Sequence, residues 1–311
     1  MSALKLFYSD TFELPLPDGH RFPMSKYTRL RERIGDSELM TLCELLLPPA
    51  ATREQLELVH QPEYVARVFA GTLSDLEQRR IGFPWSEKMV ERSCRSTGAS
   101  IAAGFAALEE GLAVNLAGGT HHAMPDAGGG YCVFNDACVA ARVLQKAGRA
   151  QTVLFVDLDV HQGNGTAAIA AGDPTLFAFS MHCDQNYPFR KTEGDLDIKL
   201  PAGAGDELFL SELETALDQI QGCFDPDLVF YLAGADPWDG DRLGHMALSK
   251  SGLKRRDELV LERFGELRVP VAVCMAGGYA PEVNDIVDIH FGTVETAAHL
   301  HASQVIHAKS Q

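Results

Sequence analysis

The sequence predicts an α/β fold, an open parallel β-sheet flanked by helices, formed as a single domain over residues 1–311. Three observations carry that expectation. Short runs rich in β-branched and aromatic residues recur between longer amphipathic segments. The runs are largely apolar rather than alternating, as strands covered on both faces require. No Pro/Ser linker or break in composition divides the chain.

Taken in order, the strand runs are residues 5–8, 113–117, 152–156, 175–181, 227–232 and 270–275. The segments between them read as helices that return the chain for parallel pairing. Residues 207–221 show this best: Leu210, Leu213, Leu217 and Ile220 share one face, behind an N-cap expected at Asp206. Residues 83–86 and 183–193 read as loops. The last dozen residues read as a helical tail with solvent-facing His299, His301 and His307; a second metal site formed by these and Glu295 is the less economical alternative.

Lys plus Arg number 27 against 43 Asp plus Glu, a net charge of −16, which repels polyphosphate and argues against direct nucleic-acid binding. A cationic partner, a basic peptide or a polyamine, suits that charge better. Seven cysteines, Cys43, Cys94, Cys132, Cys138, Cys183, Cys223 and Cys274, form no Cys-x-x-Cys pair, and the odd count points to a reducing compartment. The first ten residues turn polar too quickly for a secretory leader, and no apolar run reaches membrane-spanning length. A cytoplasmic protein is expected.

In an open parallel sheet, chemistry collects beyond the carboxyl ends of the strands. After 152–156 come Asp157, Asp159 and His161 in alternation, so an extended segment would point all three to one side. Two carboxylates and an imidazole suit zinc or ferrous iron, although alone they could equally satisfy loop amides. After 227–232, Asp236 could add a third ligand and leave a position open, as a catalytic zinc requires. After 113–117, Gly118, Gly119 and Thr120 lead into His121 and His122, imidazoles that titrate near neutrality and suit general acid/base work. After 270–275, Gly277 and Gly278 lead to Tyr279, whose phenol could donate to a developing oxyanion. His20 and His60 read as surface residues, His182 as strand-end packing, and Cys132 as an apolar filler.

These four signals, in order and spacing, resemble the defining motifs of the histone deacetylase family, over residues 22–290. Gln162 to Gly165, the compact 277–279 segment and the run 240–244 look most like its class IV branch and bacterial relatives. The resemblance implies an arginase/deacetylase-like fold and hydrolysis of an N-acyl-lysine amide by a metal-activated water. It implies that Asp159, His161 and Asp236 bind Zn2+, with Fe2+ as a substitute, and that Tyr279 polarises the carbonyl. His122 would be the general base and His121 its electrostatic helper, oriented by Asn164 and Asp157 respectively. Many relatives carry Asp where Asn164 stands, so His122 is expected to be less basic here. Gly130 and Tyr131 would line a channel opposed by Tyr187 or Phe189, and Arg29 would stand near an acetate exit. A K+ or Na+ would sit on oxygens of Asp157, Asp159, His161, Ser180 and Met181.

Gly163 and Trp238 occupy the positions where binuclear manganese relatives on this fold need further carboxylates, so one metal is expected. The partner is an acylated lysine peptide or protein, or an acetylated polyamine; a non-catalytic acyl-lysine-binding module is the alternative from a different class.

Overall fold

The computed structural model describes residues 3–12 and 14–309, with the backbone alone beyond residue 303. Its strands are β1 (Leu4–Phe7), β2 (Cys43–Leu46), β3 (Leu112–Asn115), β4 (Val153–Asp157), β5 (Leu176–Cys183), β6 (Leu196–Leu200), β7 (Leu228–Leu232) and β8 (Val271–Cys274). Its helices are α1 (Lys26–Gly35), α2 (Arg53–Leu56), α3 (Pro62–Ala70), α4 (Asp75–Ile81), α5 (Glu87–Glu110), α6 (Asp136–Lys146), α7 (Asn164–Ala170), α8 (Asp206–Gln221), α9 (Lys250–Glu266) and α10 (Val283–Lys309). The strands form one 8-stranded sheet in the order β2-β1-β3-β8-β7-β4-β5-β6, parallel at every pairing.

The apolar runs are continuous because both faces of the sheet are covered. In β4, Val153 and Phe155 enter the core beneath α5 and α6, whereas Leu154 and Val156 enter the core beneath α1, α8, α9 and α10. β7 divides in the same way: Leu228, Phe230 and Leu232 face one core, Val229 and Tyr231 the other. The edge strands β2 and β6 were not among the expected runs. They are short and half-covered, and Leu196–Leu200 mixes Asp and Lys into its apolar pattern, as a sheet edge tolerates.

Four local expectations are corrected. Asp206 is the first residue of α8 rather than its cap, because its carboxylate is engaged by the Ser249 N–H at 2.8 Å and hydroxyl at 2.5 Å. Residues from 300 to 309 continue α10, and His301 is buried rather than solvent-facing; the His307 side chain lies outside the described residues. His60 is also buried, and His20 is half-buried with its ring nitrogen 2.9 Å from the Gly82 carbonyl.

Candidate metal centre and active site

β3, β8, β7 and β4 are consecutive in the sheet, so the loops at their carboxyl ends converge. Asp159 and His161 follow β4 and Asp236 follows β7, with their ligand atoms all within 4.8 Å of one another. His161 Nδ1 lies 2.9 Å from Asp159 Oδ1 and 3.2 Å from Asp236 Oδ2. Backbone amides hold the carboxylates in place. The N–H of His161 donates to Asp159 Oδ1 at 2.9 Å, that of Gly277 to Asp159 Oδ2 at 2.8 Å, and that of Val160 to Asp236 Oδ1 at 3.0 Å.

Asp236 Oδ2 is fully buried with no well-formed hydrogen bond of its own, because the His161 Nδ1 that lies 3.2 Å away is already engaged by Asp159 Oδ1 at 2.9 Å. A buried anionic oxygen in that condition costs more than the usual 1–3 kcal/mol, roughly, of an unsatisfied polar group, so the donor set fits a divalent cation. Charge agrees. Burial pushes the His161 imidazole down, but Asp159 and Asp236 outweigh it and hold it up at about 10. Burial and then Asp159 push the Asp236 carboxyl up to about 7. The point where the three ligands meet demands positive charge. Among the described residues no other group of His, Cys, Asp or Glu converges in this way, and the glycine at 277 is required there, since a Cβ would clash with both Asp236 Oδ2 and Asp159 Oδ2.

His121 and His122 lie on the loop after β3, with ring centroids 4.1 Å apart. That loop is tied to the start of α6. The buried Asp136 accepts from the Gly119 and Thr120 N–H groups at 3.1 and 2.7 Å and from the hydroxyls of Thr120 and Ser100. Asp157 Oδ2 is 2.7 Å from His121 Nδ1, and Asn164 Oδ1 is 2.7 Å from His122 Nδ1. An amide oxygen only accepts, so His122 carries its proton on Nδ1 and leaves Nε2 free to take another. Burial, then the neighbouring His121 and His161, holds His122 well below its ordinary value. Burial and the neighbouring imidazoles lead in lowering it, and the Asn164 contact itself acts the other way.

Tyr279 stands beyond Ala276 and Gly278, both at positive φ (55° and 146°), and its N–H donates to Asp241 Oδ2 at 2.6 Å. Burial, with Asp159 and Asp236 nearby, keeps its phenol far above 10, so it remains a donor. From this buried end a cavity of about 250 Å3 opens outward between Tyr131, Tyr187 and Leu243. Gly130, at φ 52°, brings the chain against the His122 ring, where a Cβ would clash. Tyr187 packs edge-on to His122 at 4.8 Å, whereas Phe189 is 90% exposed and off the channel wall, so of the two aromatics offered by the sequence only Tyr187 serves.

The structure also brings Asp157 and Ser180 together as register partners across β4 and β5, with Met181 following in β5. Arg29 is not near the site: it is exposed and donates to Asn284 at 3.0 Å. One helical turn earlier, buried Lys26 donates to the carbonyls of Ala276 and Gly278 at 3.2 and 3.3 Å, and with Phe22, Tyr27 and Arg92 it surrounds the inner side of Tyr279. Sequence reading missed Lys26, Arg92 and Asp136. A charged residue inside an amphipathic helix looks solvated until the partner loops are known; the only signal was that Lys26 interrupts the buried face formed with Tyr27, Leu30 and Ile34.

Comparison with known proteins agrees with this geometry. The histone deacetylase domain family matches residues 20–294. An uncharacterized protein of Picosynechococcus sp. is 45% identical over 91% of this chain and 94% of its own length, and histone deacetylase 2 of Arabidopsis thaliana is 28% identical over 90% and 75%. The crystal structure of an HDAC homolog complexed with SAHA superposes with a TM-score of 0.79 at 25% identity, covering 96% of this chain and 84% of that one. The fold matched there is the same helix-flanked parallel sheet, and the family match covers every strand end that builds the site. The chain belongs to the histone deacetylase family.

Proposed function

We propose that this chain is a zinc-dependent hydrolase of N-acyl-lysine amides. The observation that carries the reading is the orphaned Asp236 oxygen converging with Asp159 and His161 at the buried end of an aromatic-walled channel. Zinc bound by these three residues would supply Lewis acidity, polarising the amide carbonyl and bringing water toward a pKa of about 7. Tyr131 and Tyr187 would grip the methylene chain and exclude water. His122 Nε2 would take the proton of the attacking water and return it to the departing amine. Tyr279, held protonated, would donate to the oxygen that gains charge in the tetrahedral state, an interaction stronger there than with the flat amide. His121, paired with Asp157, would keep positive charge beside that oxyanion.

The space beyond Tyr279 supports a short acyl group. The inner cavity among Phe22, Tyr27, Arg92 and Gly119 holds about 30 Å3, room for roughly two or three waters. A K+ or Na+ on Asp157, Asp159, His161, Ser180 and Met181 belongs to the same proposal. So does a cytoplasmic setting, supported by seven cysteines without a disulfide. No described helix is long and apolar enough to cross a membrane.

The test is amine release from peptides carrying acetyl- to myristoyl-lysine and from acetylated polyamines, with metal-loaded and chelator-treated protein. Chelator-sensitive turnover, fastest with acetyl-lysine, is expected. Stoichiometric metal on folded protein with no turnover of any substrate would overturn the reading in favour of a binding module.

A further inference from the structure

The channel lining includes two arginines, Arg79 and Arg80, and no acidic residue. In a chain with 43 acidic and 27 basic residues, a wall of that character runs against the composition. Both arginines are exposed, in the last turn of α4. Complementing a helix C-terminus accounts for their sign, but not for their lack of carboxylate partners: neither makes an ion pair among the described residues. Glu77, on the same helix, is taken by Arg67 and Ser74. Asp241, on the loop that carries Leu243, accepts from the N–H groups of Leu243, Gly244 and Tyr279.

Their placement is set by the channel itself. The N–H of Gly130 donates to the Arg80 carbonyl at 2.9 Å, and that of Tyr131 donates to the Ile81 carbonyl at 2.7 Å. The hydrogen bonds that position the channel lining therefore position the end of α4. Two further effects put positive charge at this rim: Arg80 acts on the Tyr187 phenol, and Arg21 on that of Tyr131, each toward ionisation, although burial is the larger influence on both.

We propose that Arg79 and Arg80 are specificity-determining residues that select acyl-lysines flanked by Asp or Glu in a peptide, and that they disfavour acetylated polyamines, whose remaining ammonium groups would lie against them. This inference rests on the deacylase reading above. Exposed charges within several ångströms of one another interact weakly in water, so the two arginines together are expected to give about a tenfold preference in kcat/KM between acidic and basic flanks. Screening should erase most of it at about 0.5 M salt, where the Debye length falls to a few ångströms.

The experiment measures kcat/KM of the zinc-loaded full chain on three acetyl-lysine peptides that differ only in flanking Glu, Gln or Lys pairs, and on N-acetylspermidine. The wild type and an Arg79→Glu, Arg80→Glu double variant are compared, each at low and high salt. The expected order for the wild type is Glu above Gln above Lys, with the polyamine poorest, and the order inverts in the variant. Turnover of the Gln peptide tests the deacylase reading by itself; its absence removes both. Turnover of the Gln peptide with equal rates on Glu and Lys flanks, or a preference for N-acetylspermidine, overturns this proposal and leaves the deacylase reading standing. Should the double variant fail to fold, the wild-type salt series decides: a flank preference that does not shrink with salt is not electrostatic, and the proposal falls.

Discussion

His121 and His122 are adjacent, yet His121 Nδ1 lies 2.7 Å from a carboxylate oxygen of Asp157 and His122 Nδ1 lies 2.7 Å from the amide oxygen of Asn164. The geometries match and the charges do not. Burial pulls His121 down, but Asp157 and Asp159 outweigh it and hold it up at about 9, while burial and the two neighbouring imidazoles hold His122 well below 6.5. One imidazole of the pair is kept cationic and the other neutral, a division of labour that follows when two like groups are given unlike surroundings.

Asn164→Asp should narrow that division. A carboxylate at 164 stabilises the His122 imidazolium and raises its pKa. A general base works only when neutral, so activity is lost as pH falls through its pKa. The acid limb of the kcat/KM profile should therefore move to higher pH, with the rate at mildly acidic pH falling most. An acid limb that stays in place in the variant would show that His122 is not the group whose deprotonation the rate reports.

Asp236→Asn should separate metal binding from folding. The variant keeps an acceptor for the Val160 N–H, which Asp236 Oδ1 receives at 3.0 Å, and removes the charge from the orphaned oxygen. A ligand at a hundredfold excess over its Kd stabilises a protein by about 2.7 kcal/mol, several degrees in Tm for a chain of this size. Calorimetry should show that rise on adding zinc to the wild type and little or none with the variant. Equal rises in both would place the zinc elsewhere.

The strand ends were legible because residues such as Asp157 and Asp236 interrupt long apolar runs, and a buried strand cannot accommodate a carboxylate before it reaches the sheet edge. The loops between them were not. Nothing in the spacing of Asp136 says that it returns to the amides of Gly119 and Thr120, and Lys26 looks like any helical lysine until the Ala276 carbonyl is placed beside it. Contacts of that kind join segments far apart in the chain, and residue type alone does not encode them. His60 failed for the same reason, since its two partners are the backbone groups of Met124 and Asn135.

Arg256 supplies a second support for the metal loops, from beneath. Fully buried, it donates to the carbonyls of Gly234 and Leu158 at 2.6 and 3.4 Å and pairs with Asp257 at 2.8 Å. Asp257 in turn accepts from the hydroxyls of Tyr231 and Thr293 at 2.5 and 2.6 Å. Arg256→Met leaves Asp257 buried without its cation and should cost about 3–5 kcal/mol. Arg256→Met with Asp257→Asn should recover part of the stability without restoring the donors to Leu158 and Gly234. Zinc affinity, read by competition with a chromophoric chelator, should stay weakened in both. Wild-type affinity in the double variant would show that the ligand loops hold their shape without Arg256.

His60 sets an acid limit on stability. Its Nε2 accepts the Asn135 N–H at 2.9 Å, so the ring proton is on Nδ1, 3.0 Å from the Met124 carbonyl, and the neutral ring satisfies both partners. Burial lowers its pKa from 6.5 to about 4. A depressed folded-state value means that the stabilisation is complete above the unfolded pKa. It is lost as pH falls from about 6.5 toward 4, where the unfolded chain binds the proton and the folded one does not, a loss of about 3 kcal/mol from this group. His60→Phe removes the titration but leaves the Met124 carbonyl and the Asn135 N–H without partners, at a cost of about 1–3 kcal/mol for each. The variant should therefore be less stable than the wild type at pH 7, with the gap closing as pH approaches 4. Denaturant unfolding across that range checks it, and because His182, held down to about 4 chiefly by burial, titrates in both proteins, the difference between the two curves isolates His60. Parallel curves would mean that the ring is protonated, or equally unprotonated, in the folded and unfolded chains.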